Sequence, residues 1–81
     1  MPTVFRHLGF RFFFYANEGT PREPVHIHVD SAEGEAKFWM QPVIHVAYND
    51  GYSARTLRQL HEIVEANRNR IERAWYDFFG N

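Results

Sequence analysis

Hydrophobic and polar positions alternate with a period of two through much of the first 48 residues and recur with a helical period after Gly51. The change of period predicts one α+β domain over residues 1–81, with a β-sheet over 1–48 and a helix over 53–79. Residues 4–7 and 10–15 read as two strands joined by Leu8-Gly9, a hairpin link. In the second of these, Phe10, Phe12 and Phe14 share one face and Arg11, Phe13 and Tyr15 the other. A polar loop over 17–22 leads into residues 23–30, where Val25, Ile27 and Val29 face a core while His26, His28 and Asp30 form a row on the opposite side. Ser31-Ala32-Glu33-Gly34 is a turn, and residues 35–40 make a fourth strand. In that register Asp30 lies opposite Glu35, His28 opposite Lys37, and His26 opposite Trp39. Residues 43–48 give a short fifth strand, so the expected sheet is antiparallel, curled and four- to five-stranded.

One long C-terminal helix follows. Ser53 is a good N-cap, and Tyr52 with Leu57 has the spacing of a hydrophobic staple. Leu57, Leu60, Val64, Ile71, Ala74, Trp75 and Phe78 keep the helical period, and Gly80 is the expected stop. Asn67 falls inside the apolar stripe, so the helix either runs unbroken to Phe79 or bends near Asn67-Arg68-Asn69. Unbroken, it is roughly 40 Å long, about twice the ~20 Å of a typical strand. Its overhanging Trp75, Phe78 and Phe79 then need an interface, most simply a second copy of the chain, and a homo-oligomer is expected.

Composition narrows the chemistry. A chain of 81 residues is near the lower limit for a self-sufficient core, and 14 aromatic residues supply the burial it needs (eight Phe, four Tyr, two Trp). The net charge of −1 gives no overall attraction to nucleic acid or to an anionic membrane. Without cysteine there is no disulfide scaffold, thiolate zinc site or cysteine nucleophile. The first residues lack a signal-peptide pattern and no run has membrane-spanning length, so a cytoplasmic protein without membrane contact is expected.

The histidine strand is where chemistry is expected. His26 and His28 with Arg11 and Lys37, interleaved with Phe13, Tyr15 and Trp39, describe a cationic and aromatic face suited to RNA phosphates and bases or to a protein partner. Arg11, Tyr15, Lys37 and Trp39 are its binding candidates. The same two histidines are candidate catalytic residues for a metal-independent ribonuclease, one as general base and one as general acid. They are also weaker candidates for a metal site completed by Asp30 or Glu35, against which stands the ammonium of Lys37 opposite His28. No cofactor is called for. The plain alternative is a pair of half-exposed strand histidines packed on Trp39 and Tyr15.

Phe12-Phe13-Phe14 with Asn17-Glu18-Gly19, then Pro24-Val25-His26-Ile27-His28-Val29, then Gly34-Glu35-Ala36-Lys37-Phe38-Trp39, and Gly51-Tyr52-Ser53 before the helix, resemble the small bacterial family called domain of unknown function 4160. The resemblance covers nearly the whole chain. It implies a cytoplasmic single-domain protein, one member of a two-gene toxin–antitoxin-like module, with a protein partner encoded by a neighbouring gene; RNA, read from the cationic and aromatic face, is a further expected target. Where that family has Pro-Pro-His-Val-His-Val, this chain has Pro24-Val25-His26-Ile27-His28-Val29, keeping both histidines and losing the second proline.

Overall fold

The computed structural model describes residues 2–18 and 22–80. Among them the order is β1 (Thr3–His7), β2 (Phe10–Phe13), a single 3-10 turn (Ala16–Glu18), β3 (His26–Ser31), β4 (Gly34–Trp39), β5 (His45–Asp50), α1 (Ala54–Ala66) and α2 (Arg68–Phe79). The strands form one antiparallel sheet in sequence order, so β3 is central and β1 and β5 are its edges. Leu8 and Gly9 both take positive φ, the left-handed pair that a tight hairpin between twisted strands demands.

The β3–β4 register is the expected one, with His26 opposite Trp39, His28 opposite Lys37 and Asp30 opposite Glu35. The boundaries differ from expectation. β2 ends at Phe13 and β3 begins only at His26, because the chain between them leaves the ladder. Part of the loop expected over 17–22 lies outside the described residues. β5 starts two residues late, at His45, where pairing to Trp39 begins.

The long helix is two helices. Asn67 turns its side-chain amide back to donate to the carbonyl of Ile63 at 2.8 Å, and its backbone leaves helical geometry at φ −110°. An Asn side chain that competes with the backbone in this way ends one helix and starts the next. The bend is the second of the two expected courses, and it removes the overhang that an unbroken helix would have. Trp75 lies wholly inside the chain's own core against Phe14, Phe79 is half-buried on Trp75, and only Phe78 of the expected interface is exposed. The physical need for a second copy at this end is therefore removed.

The helices supply Leu60, Ile63, Val64, Ile71 and Trp75 to a core that receives Phe12, Ile27, Val29, Ala36 and Phe38 from the sheet. The loop before α1 is fastened to the sheet by Tyr52, whose hydroxyl donates to the Gly34 carbonyl at 2.9 Å and accepts from Ser31 at 2.8 Å. Ser53 caps α1 by accepting from the Thr56 amide.

At Gly34 the neighbouring strand passes too close for a side chain, since a Cβ there would overlap the backbone carbonyl of Asp50. Gly34→Ala is expected to lower stability by about 1–3 kcal/mol, as overpacking commonly does. A urea titration checks this, and a variant with an unchanged midpoint would show that β4 and β5 have room to part.

Candidate functional site

The alternation of β3 places Ile27 and Val29 in the helix-covered core and turns His26 and His28 to the other face. That second face is closed as well. After β2 the chain makes its 3-10 turn and carries Glu18 back over the two histidines, leaving His26 0% and His28 3% exposed. Glu18 Oε1 lies 2.8 Å from His26 Nε2 and Oε2 lies 2.6 Å from His28 Nε2. Oε1 also accepts from the Tyr15 amide at 3.1 Å, which fixes the carboxylate relative to the turn. Aromatic rings wall the group in: Trp39 and Trp75 pack on His26, and Phe13 and Tyr15 on His28.

The remaining ring nitrogens are also engaged. His26 Nδ1 is 2.9 Å from the carbonyl of Pro24. A carbonyl only accepts, so this nitrogen carries a proton. His28 Nδ1 faces the Tyr48 hydroxyl at 3.2 Å and Glu35 at 3.4 Å. Tyr48 gives its one proton to Glu35 Oε2 in a 2.6 Å bond, and Tyr15 donates to the same carboxylate at 3.2 Å. His28 Nδ1 is therefore the donor towards Tyr48.

Burial pushes the His28 imidazole below its ordinary pKa, and its contact with Glu18 opposes that only in part. For Glu18, desolvation acts upward, but its contacts with His28 and His26 outweigh it and hold the carboxyl below its ordinary range. Tyr48 is pushed well up, first by desolvation and then by its bond to Glu35, so the phenol keeps its proton. Glu18, His26 and His28 each offer an atom within 4.8 Å of the others, which makes them the residues able to hold a metal among those described.

The other expected site residues are placed differently. Arg11 makes a two-pronged ion pair with Asp30 at 3.0 and 2.7 Å and lies over the Phe13 ring. Asp30 is thereby spent on Arg11 and is not with the histidines. Lys37 is held by Glu23 at 3.3 Å and sits 4.0 Å above the Trp39 ring. Arg11, His26, His28 and Lys37 do share one face, but each stands against a carboxylate, so the open cationic surface expected there is neutralised. The two imidazoles are buried, not half-exposed. Glu18 was missed because a loop residue carries no periodicity, and only a fold-back of the chain brings it to the strand. Tyr48 was missed because its side is set by the β4–β5 bulge between Lys37 and Phe38.

A model of the family described as domain of unknown function (DUF4160) matches residues 9–76. No curated protein and no solved structure match the chain. No helix among the described residues is long and apolar enough to cross a membrane.

Both depressed pKa values destabilise the fold in acid. The unfolded chain protonates the His28 position near its ordinary 6.5 while the folded chain resists, so stability falls as the pH drops below that value. The contribution of Glu18 is present above its ordinary 4.5 and is lost as the pH falls through its lower folded value. With a chelator present, the urea midpoint is expected to drop in two stages between roughly pH 8 and roughly pH 3, with the upper stage reduced in His28→Gln. A midpoint independent of pH across that range would contradict the burial of this site.

Proposed function

The chain belongs to the family designated domain of unknown function DUF4160, and we propose that it is the protein-binding component of a two-gene, toxin–antitoxin-like module. It takes an extended segment of its partner onto the open edge of β5. The observation that carries this reading is the open edge strand β5, with exposed apolar side chains beside it on either face. Of the six large hydrophobic side chains exposed among the described residues, three, Val43 (65%), Val46 (38%) and Tyr48 (42%), lie on β5 or just before it.

An edge strand presents unpaired backbone donors and acceptors that a second extended chain can satisfy. Main-chain bonds give such a complex its affinity, and side chains flanking the edge choose the partner. Val46 and Val43 are suited to that choice, and a partner strand shields them from water. The RNA and ribonuclease alternatives draw less support. Arg11 and Lys37 are already paired, and a catalytic imidazole must reach a phosphodiester, whereas His26 and His28 are enclosed.

The test is co-expression with the product of the adjacent gene and titration of the purified pair. Val46→Lys is expected to weaken the complex at least about tenfold, as loss of a central apolar contact does. Leu8→Lys, at the far side of the sheet, is expected to leave it unchanged. The reading fails if the two proteins form no complex, or if Val46→Lys binds as well as the unmodified chain.

A further inference from the structure

We propose that Nε2 of His26, Nε2 of His28 and the carboxylate of Glu18 form a site for one divalent first-row transition ion of the zinc type. The inference is independent of partner binding at β5 and starts from hydrogen-bond direction. The Pro24 carbonyl requires a proton on His26 Nδ1, and the Tyr48-to-Glu35 bond makes His28 Nδ1 a donor. In each neutral imidazole the proton is thus on Nδ1, and Nε2 is a bare lone pair. Both lone pairs face the Glu18 oxygens at 2.8 and 2.6 Å.

Acceptors facing acceptors at hydrogen-bond distance, nearly out of water, repel one another unless something positive lies among them. Two added protons would meet this need only by making two adjacent imidazolium ions in a buried space. The proton on His26 would also be poorly used, because Nε2 has no aligned hydrogen bond despite its closeness to Glu18. One divalent ion satisfies all three groups together.

The donor set selects the ion. Two imidazole nitrogens with one carboxylate oxygen suit zinc, cobalt, nickel or copper, while magnesium and calcium require oxygen. Metal-binding histidines normally donate their second N–H to a carbonyl or a hydrogen-bonded acid, and here Pro24 and the Tyr48–Glu35 pair fill those roles. The sequence-level objection from Lys37 is met by Glu23, which holds the ammonium over Trp39. With ligand bonds of about 2.0–2.2 Å, tetrahedral neighbours lie roughly 3.4 Å apart. Loading therefore lengthens the two Glu18 contacts by somewhat more than half an ångström.

The experiment uses the full chain, stripped with a chelator and dialysed. Calorimetry is expected to give one zinc ion per chain, zinc to raise the melting midpoint and magnesium to leave it unmoved. Cobalt(II) is expected to develop the visible absorption of a four- or five-coordinate site. Glu18→Gln is expected to bind zinc at least about tenfold more weakly, and Asp30→Asn to bind it like the unmodified chain. Should Glu18→Gln not fold, the imidazole NMR signals of the unmodified chain decide: zinc must move those of His26 and His28 and leave those of His7 and His45. The proposal is overturned if zinc leaves both melting midpoint and imidazole signals unchanged, or if folded Glu18→Gln binds as tightly as the original. It is equally overturned if Asp30→Asn abolishes binding.

Discussion

The fold-back of the chain after β2, which sets the Glu18 carboxylate over the two imidazoles of β3, closes the second face of the sheet. A chain this short has one helical layer, and α1 with α2 spends it on the face carrying Ile27 and Val29. The other face is covered by the turn after β2, by the strand residues themselves and, at His26, by Trp75 of α2. Polar side chains can be enclosed there only with their charges and protons matched. Glu23 matches Lys37 and Asp30 matches Arg11, while Glu18 stands against the Nε2 atoms of His26 and His28. Removing Glu18 would leave two buried nitrogens facing nothing, whereas removing Asp30 exposes a guanidinium that water can already reach.

Elements governed by local periodicity were legible in the sequence. The period-two runs placed all five strands, and the β3–β4 register followed from the length of the turn over 31–34. The helical period located α1 and α2. Whether they were continuous was not legible, because it depends on the competition at Asn67 between an apolar stripe and a side chain that bonds to Ile63.

The candidate site was legible in half. His26 and His28 were found because alternation puts them on one face; Trp39 meets His26 as the register requires, and Tyr15 reaches His28 from beyond the end of β2. Their burial was not evident, since strand patterning assigns a side but cannot reveal what covers it. Pairing across loops was equally hidden. Arg11 and Lys37 looked like free cations in sequence, and each finds its carboxylate only when separate strands and loops are brought together.

The strict meander has a kinetic meaning. Because each strand pairs with its immediate predecessor, the ladder can grow by successive local hairpins, each closing a short loop at modest entropic cost. The contact of Trp75 with Phe14 and His26 is of another kind, linking the end of the chain to its first quarter. Only after the sheet and α1 exist does α2 have a surface to dock on. Of these contacts, the one between Trp75 and Phe14 closes the longest stretch of chain, and so at the largest entropic cost.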